Sequence, residues 1–270
     1  MMLINGVASG LISIRDRGLL YGDGVFRTLC ARQGLAVDWP LHYQKLQEDC
    51  VKLGIACPDS ATLSGELERL LVQHPNGVIK LIVTRGQGVR GYTPSAQGSV
   101  THIWDITALP DYPADYPVKG IKVRLCQLRL AEQARLAGIK HLNRLENVLA
   151  AAEWDDTDIA EGVLLDHAGR VIEGTRSNIF CVMQNILVTP DLSRCGVAGV
   201  QRDRVMKWAA QHDMALQVRD LTLDELWHAD EIFLVNSVIG LWPVRELEQC
   251  CWHDFSVAAK IRNDFAYQAI

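Results

Sequence analysis

Lys140 is the residue of this chain best suited to amine chemistry. It lies in the segment GIKHLNRL (138–145), where Gly138 and Ile139 precede it and a predicted helix follows. Apolar surroundings favour the neutral amine over the ammonium ion, and a neutral amine forms Schiff bases with carbonyl compounds. The alternative interpretation is an ordinary lysine near a helix start, with its tip in solvent. The segment predicts a reactive amine at a strand-to-helix junction, where a side chain can point into a cleft.

Glu173 is the second candidate, within the segment VIEGTRSNIF (171–180). Gly174 allows close approach of the backbone, and Ser177 and Asn178 offer side-chain hydrogen bonds. A buried carboxylate keeps a pyridine nitrogen protonated, and a protonated pyridine ring acts as an electron sink. The alternative interpretation is an exposed carboxylate at a strand end. Together, Lys140 and Glu173 indicate pyridoxal phosphate chemistry.

A phosphate site is indicated by GVAGVQR (196–202), which leads from a loop into a predicted helix. Free N–H groups at a helix start bind anions, and Gly199 lets a ligand come close. Asn236 and Ser237 follow an apolar strand and would add side-chain donors. A plain glycine-containing helix entry explains the motif equally well. The chain has neither GxGxxG nor GxxxxGK[ST], so a dinucleotide or Walker-type site is unsupported.

Basic and aromatic residues cluster in RGQGVRGY (85–92). One interpretation is a solvated glycine-rich loop. The other is an arginine pocket for carboxylates, which bind a guanidinium as a bidentate fork. The eight histidines show no HExxH or comparable spacing, so no metal site is expected.

Composition narrows the class of protein. A formal charge of −5 argues against a nucleic-acid binder, but it leaves room for a local basic pocket that takes an anionic substrate. The eight cysteines form no CxxC pair, which is typical of reduced residues in a cytoplasmic protein. No basic region precedes a long apolar stretch at the N-terminus, and no segment approaches the roughly 20 apolar residues of a membrane span. Neither a signal peptide nor a membrane span is expected.

The elements that must position these residues fall into two predicted domains. Three prolines in LPDYPADYP (109–117) predict a linker over 110–118, between an N-terminal domain over 1–109 and a C-terminal domain over 119–270. Apolar periodicity predicts helices over 38–54, 144–154, 200–212 and 254–267. Runs rich in β-branched residues predict strands over 77–85, 100–108, 120–128, 177–183 and 231–235, and a hairpin over 161–173. This mixture indicates two α/β or α+β domains.

Taken in their order along the chain, the sequence motifs resemble those of the class IV (fold-type IV) pyridoxal-phosphate enzymes, and the resemblance covers nearly the whole chain. The resemblance implies a smaller N-terminal α/β domain and a larger C-terminal domain with a mixed sheet and a barrel-like core. It also implies pyridoxal 5′-phosphate as cofactor and a homodimer. The matching segments are Asp16-Arg17, Tyr21 to Phe26, Leu41 to Leu46, Lys140, Glu173 to Phe180, Gly199 to Arg202 and Pro243-Val244.

By matching position, the resemblance assigns roles to the cofactor residues. Lys140 would form the Schiff base, and Glu173 would hold the pyridine nitrogen. Val200 and Gln201 would offer backbone amides to the phosphate, and Val197 would lie behind the ring. The full set of implied cofactor contacts is Lys45, Lys140, Glu173, Ser177, Asn178, Val197, Gly199, Val200, Gln201, Asn236 and Ser237.

Two positions depart from the family pattern. Lys45 stands where the family usually has an arginine; lysine keeps the charge but loses the planar fork, so lower cofactor affinity is expected. Phe26 stands where the D-amino-acid aminotransferases use a tyrosine, and the missing hydroxyl tells against amino-acid transamination. Arg90 and Tyr92 fall where the D-amino-acid enzymes keep a carboxylate trap.

Within the family, the segments 138–146 and 76–92 resemble the aminodeoxychorismate lyases. This implies a lyase of folate biosynthesis that converts 4-amino-4-deoxychorismate to 4-aminobenzoate and pyruvate. The alternative is a branched-chain or D-amino-acid aminotransferase, and a third hypothesis is a non-catalytic binding protein of the same fold. The implied substrate contacts are Arg90, Tyr92, Phe26, Thr28 and Arg176, with Arg27 as a further candidate anchor.

Overall fold

The computed structural model describes residues 2–94 and 99–265, and the chain divides into two compact units. Unit 1 comprises Met1–Asp111 together with Ile139–Asn143, and unit 2 comprises Tyr112–Gly138 together with Arg144–Ile270. This division differs from the predicted domains, because a short internal segment that contains Lys140 belongs to the N-terminal unit.

Unit 1 is built on an antiparallel sheet. Its described strands pair in the order β2-β1-β6-β5-β3-β4. Its elements are β1 (Met2–Ile4), β2 (Val7–Ala8), α1 (Arg17–Tyr21), β3 (Gly24–Arg32), β4 (Leu35–Ala36), α2 (Trp39–Leu53), α3 (Ser60–Gln73), β5 (Gly77–Thr84) and β6 (Thr101–Thr107).

The two faces of this sheet have different surroundings, because successive side chains of a strand point to opposite faces. On one face, Leu29, Leu81 and Trp104 are buried in a core that includes Leu46 of α2 and Leu63 of α3. On the other face lie Phe26, Thr28 and Lys80, with Thr28 directly opposite Lys80. The more open face of the sheet therefore carries two of the predicted substrate residues.

The segment Ile139–Asn143 joins unit 1 by packing and by hydrogen bonds. Ile139 is fully buried in the core of unit 1. The N–H of Leu142 donates to the carbonyl of Gly24 (3.0 Å), and Val25 and His141 form an isolated β-bridge. A Cβ at Gly24 would lie 2.6 Å from the carbonyl oxygen of Val83 in β5 and 2.8 Å from Cδ1 of Leu142, so this position of β3 requires glycine. A linear domain boundary could not capture this contact, since it joins parts of the chain far apart in sequence.

Unit 2 contains a large mixed sheet. Its described strands follow the path β12-β11-β10-β13-β14-β7-β8-β9, with β15 paired to β14. The β14–β7, β7–β8 and β11–β12 pairs are parallel. The elements are α4 (Tyr116–Lys119), β7 (Ile121–Leu130), α5 (Leu145–Ala151), β8 (Ile159–Asp166), β9 (Val171–Gly174), β10 (Asn178–Met183), β11 (Ile186–Pro190), α6 (Val200–Gln211), β12 (Leu216–Arg219), α7 (Leu223–Trp227), β13 (Glu231–Asn236), β14 (Gly240–Leu247), β15 (Cys250–Cys251) and α8 (Ser256–Asp264).

Both faces of this sheet are covered, which explains its continuous apolar strands. Ile179 of β10 lies in one buried cluster, whereas Phe180 lies in a second cluster with Trp208 of α6 and Ile261 of α8. The terminal strand β9 also lies against β10 in the middle of the path, so the sheet curls back on itself. The predicted barrel-like core is confirmed.

Most predicted elements are present, with boundaries shifted by a few residues. A short helix, α4, begins within the predicted linker. Pro117 is tolerated in its first turn, where a helix has unpaired N–H groups anyway. Within unit 2, the rings of Tyr112 and Tyr116 also form T-shaped contacts with the ring of Trp242. The predicted end of the last helix, Tyr267, lies outside the described residues. In the described ranges, no helix is long and apolar enough to cross a membrane.

The core of unit 1 should be sensitive to truncation of Leu81, which is fully buried. Leu81→Ala is expected to lower the free energy of unfolding by roughly 2–5 kcal/mol, because it removes apolar contacts and leaves a cavity. Leu35→Ala, at a site that is 72% exposed on the same sheet, is the control and should change it by about 0.5 kcal/mol or less. Chemical denaturation measures both. Equal effects would show that the sheet face under α2 and α3 is not a tightly packed core.

Candidate active site

The main chain of Lys140 is fixed on both sides. Its N–H donates to Oδ2 of Asp49 (3.0 Å), and its carbonyl accepts from the N–H of Phe26 (2.9 Å). The side chain is half-buried, and Nζ lies 4.5 Å from the centroid of the Phe26 ring. The ring shields Nζ from part of the solvent, and its electron-rich face also attracts an ammonium group.

A second lysine, Lys80, also lies against the Phe26 ring. Its Nζ lies 5.0 Å from the ring centroid, and its side chain is exposed. Sequence reasoning missed this residue. The available signal was the alternation in β5, where Lys80 stands between the buried Ile79 and Leu81 and must point to the open face. The face around Phe26 therefore carries two lysine amines.

In unit 2, Glu173 is buried near the end of β9, the second strand of the β8–β9 hairpin. Only 3% of the residue is exposed, and Oε2 accepts the N–H of Val197 (2.8 Å). Burial of a carboxylate is unfavourable unless it has partners, and the Val197 amide is one partner of Glu173. The alternative of an exposed carboxylate at a strand end does not hold.

Asn178 holds the loop that leads into α6. Its Nδ2 donates to the carbonyl of Val197 (2.7 Å), and its Oδ1 accepts the N–H of Gly199 (3.1 Å). Gly199 is the N-cap residue, so it supplies no capping side chain to the first turn of α6. A Cβ at Gly199 would lie 2.5 Å from Oδ1 of Asn178. The amides of Val200 and Gln201 thus begin a helix that suits an anion.

Glu161 is a further residue that sequence reasoning missed. It is buried on β8, accepts the N–H of Thr175 (3.1 Å) and the hydroxyl of Ser177 (3.0 Å), and also accepts the hydroxyl of Thr175. Nε of Arg176 lies 3.5 Å from it. The carboxylate therefore shapes the turn between β9 and β10, and the predicted cofactor contact Ser177 has a structural partner.

Asn236 also has a role within the fold. Its Oδ1 accepts the N–H groups of Val238 (2.8 Å) and Ile239 (2.9 Å), and its Nδ2 donates to the carbonyl of Arg176 (3.1 Å). The side chain builds the β13–β14 turn, which carries Ser237.

Asp23 holds the loop that presents Arg90. Arg17 Nε and Arg85 Nε each donate to Oδ2 of Asp23 (2.8 Å). Arg17 also donates to the carbonyls of Gly91 (2.9 Å) and Tyr92 (2.7 Å). The Tyr92 ring lies 5.4 Å from Tyr21, and the Arg90 side chain is exposed.

Two arginines considered as carboxylate anchors are engaged elsewhere. Arg85 donates to the carbonyls of Leu53 (2.8 Å) and Gly54 (2.6 Å) as well as to Asp23. Arg27 is 2% exposed and binds Asp49, so the expectation that it meets a substrate carboxylate is wrong. The position of Lys45 on α2 is partly buried, and its Nζ lies 3.6 Å from Glu48.

Gly138 is held by the loop before α6. In unit 2, the N–H of Gly138 donates to the carbonyl of Gly196 (2.9 Å), and its carbonyl accepts the N–H of Ala198 (3.1 Å). Lys140 follows Gly138 by two positions. The same loop therefore holds Gly138 and receives Glu173 and Asn178.

Comparison with known proteins gives the class. The chain belongs to the family described as Amino-transferase class IV, which it matches over residues 24–247. It is 36% identical to the aminodeoxychorismate lyase of Vibrio harveyi over 248 residues, which is 90% of each chain. The 4-amino-4-deoxychorismate lyase of Pseudomonas aeruginosa is 44% identical, with a TM-score of 0.96 over 99% of each chain. A putative branched-chain-amino-acid aminotransferase of Methanocaldococcus jannaschii is 32% identical over 88% of this chain and 83% of its own. The predicted family and fold are confirmed.

The Asp23 cluster should make stability depend on pH in acid. Burial raises the pKa of Asp23, but hydrogen bonds and charges from Arg85 and Arg17 outweigh burial and leave the pKa below its ordinary value of 3.8. A carboxyl with a lowered pKa contributes stability above its unfolded pKa and loses that contribution as pH falls through the folded value.

Asp23→Asn is therefore expected to have a lower Tm than the wild type near neutral pH, with a difference that shrinks below about pH 3.8. Asp155→Asn, at an exposed aspartate, is the control and should follow the wild type throughout. Thermal unfolding measured from pH 7 to pH 3 tests this. A difference in Tm that stays constant with pH would contradict the role of the Asp23 charge.

Proposed function

We propose that this chain is a pyridoxal-phosphate-dependent lyase that converts 4-amino-4-deoxychorismate to 4-aminobenzoate and pyruvate, the role expected in folate biosynthesis. The observation that carries the proposal is the likeness to two lyases of that name over at least 90% of each chain. Membership of the class IV family supports the cofactor.

The residues present fit pyridoxal phosphate in chemical terms. The cofactor needs an amine for its aldehyde, a carboxylate for its ring nitrogen and an anion site for its phosphate. The half-buried Lys140 supplies the amine, and the buried Glu173 supplies the carboxylate. The start of α6 at Val200, preceded by Gly199, supplies amides for the phosphate, and Lys45, Asn236 and Ser237 are proposed to assist.

The proposed roles in the reaction follow from these groups. When bound, pyridoxal phosphate supplies an electron sink conjugated with the substrate amine. Glu173 holds a proton at the ring nitrogen and so keeps that sink cationic. Lys140 Nζ would act as the general base that takes the proton from the substrate carbon that carries the amine. The enolpyruvyl group then leaves, the six-membered ring becomes aromatic, and Lys140 or water returns a proton to form pyruvate.

The substrate has two carboxylates, and the site offers exposed cations for them. Lys80 points to the open face of β5 beside Phe26 and Thr28, and Arg90 is presented by the loop that Arg17 holds. A bidentate guanidinium gives direction as well as charge. We assign Arg90 to one carboxylate, with Tyr92 at the rim, and Lys80 to the other. Arg176 is a weaker candidate because Glu161 already lies near it.

An aminotransferase remains the second candidate function. The similarity to the putative enzyme of Methanocaldococcus jannaschii favours it, and transamination uses the same Lys140 and Glu173. It requires transfer of the amino group to a keto acid, which the lyase reaction does not. Product analysis separates the two.

We also propose a homodimer in the cytoplasm. Helix α5 exposes Leu145, Val148 and Leu149, which are 68%, 60% and 54% exposed, and the N-terminal segment exposes Leu11 and Ile14. Apolar surfaces of this kind are typical of subunit contacts. All eight cysteines are free thiols, which suits a reducing compartment.

The lyase activity is tested by Lys140→Ala. The wild type, loaded with cofactor, should release pyruvate and 4-aminobenzoate from 4-amino-4-deoxychorismate in equal amounts. Lys140→Ala should lose at least about 100-fold in kcat, because the general base is gone. Lys207→Ala, at an exposed lysine of α6, is the control and should be fully active.

The negative outcomes differ in meaning. A wild type that binds the cofactor but releases no pyruvate, and instead converts a keto acid to an amino acid, would establish the aminotransferase. A wild type that binds no cofactor would overturn both functions.

Arg90→Ala tests the carboxylate assignment. Loss of a charge-assisted hydrogen bond should raise KM for 4-amino-4-deoxychorismate about 10- to 100-fold, with little effect on cofactor binding. Arg135→Ala, at another exposed arginine, should leave steady-state kinetics unchanged. Unaltered KM in Arg90→Ala would remove this residue from the site.

A further inference from the structure

Asp49 lies on α2 and is 2% exposed, and one of its oxygens serves two donors. Oδ2 accepts the main-chain N–H of Lys140 (3.0 Å) and pairs with Nη2 of Arg27. Nη2 of Arg27 also donates to the carbonyl of Lys45 (2.8 Å). The pair therefore joins α2, β3 and the segment that carries the reactive amine.

Two consecutive residues of β3 hold Lys140 from opposite faces of the sheet. Phe26 points to the open face, where its ring lies under Nζ, and its own N–H binds the carbonyl of Lys140. Arg27 points to the face covered by α2 and fixes the carboxylate that binds the N–H of Lys140. The alternation of a strand thus places one residue at the side chain of the lysine and the next at its main chain.

Stability alone is a poor reason for this pair. A buried ion pair gains little, because both ions lose hydration, and an apolar pair of similar volume is often as stable or more so. Burial raises the pKa of Asp49, and the charge of Arg27 and the N–H of Lys140 oppose that rise. The carboxylate depends on both donors, and the hydrogen bond to Lys140 is the feature that an apolar pair would not reproduce.

The geometry points to Asp49, fixed by Arg27, as a positioning residue that sets the main chain of Lys140 for covalent attachment of the cofactor. This inference rests on the proposed function, because it assumes that Lys140 is the attachment site. A main chain held at both its N–H and its carbonyl fixes the direction of the Cα–Cβ bond of Lys140. Less conformational entropy is therefore lost when Nζ reaches the aldehyde of the cofactor.

The experiment compares two double variants with the wild type. Arg27→Met with Asp49→Leu replaces the pair by apolar residues and removes the acceptor for Lys140. Arg27→Met with Asp49→Asn also removes both charges, but it keeps an amide oxygen as an acceptor. Each protein, freed of cofactor, is titrated with pyridoxal phosphate, and the visible absorbance of the lysine-bound cofactor is recorded together with Tm.

The acceptor, not the charge, should decide the result. The Met–Leu variant is expected to fold with a Tm about a few degrees below that of the wild type, because the Lys140 N–H loses its acceptor. It should bind the cofactor covalently about tenfold more weakly, the effect of one lost buried hydrogen bond. The Met–Asn variant should recover most of that affinity. Equal cofactor affinity in the Met–Leu variant and the wild type would overturn the inference.

Two further measurements keep the outcomes distinct. Lys140→Ala should abolish the absorbance; if the wild type itself lacks it, the proposed function fails rather than the positioning role. Hydrogen exchange of the wild type, read at the Lys140 amide, covers the case of a variant that does not fold. Slow exchange, like that of amides in β3, supports the Asp49 bond, and exchange as fast as in an open loop would refute it.

Discussion

The hydrogen bonds of the Lys140 main chain are the constraint on which the lysine depends. An N–H held by Asp49 and a carbonyl held by Phe26 place the residue within unit 1, although its neighbour Gly138 is bound in unit 2. Ile139 is completely buried in the core of unit 1. The backbone from which the amine extends is therefore held at both its N–H and its carbonyl.

The same principle applies to two buried polar side chains of unit 2. The side chains of Glu173 and Asn178 form hydrogen bonds with main-chain groups of Val197 and Gly199. Because buried polar side chains must be satisfied, each bond fixes both the side chain and the loop. The start of α6 stays free of a capping side chain, so that its amides remain suited to a ligand.

The arginines of this protein divide into structural and accessible ones. Arg17, Arg27 and Arg85 bind aspartates and carbonyl oxygens within unit 1, and Arg202 is buried in unit 2, where burial lowers its pKa. Arg90 stays exposed, and so does Lys80 on its strand. Arg17 and Arg85 thus hold the loop that presents Arg90, which we propose as a cation for an anionic substrate.

The sequence by itself determined the local elements and the chemical core of the site. Apolar periodicity gave α2 and α6, β-branched runs gave β5 and β6, and the surroundings of Lys140 and Glu173 indicated the cofactor, because these signals lie within a few neighbouring residues. The tertiary structure alone decided which cationic side chains are exposed, which are paired within the fold, and which unit contains Lys140. Arg27 is separated from Asp49 by 22 positions, and Lys140 from Asp49 by 91. Partners so distant leave no periodic trace in the sequence, since the contact exists only after the sheet and α2 have packed.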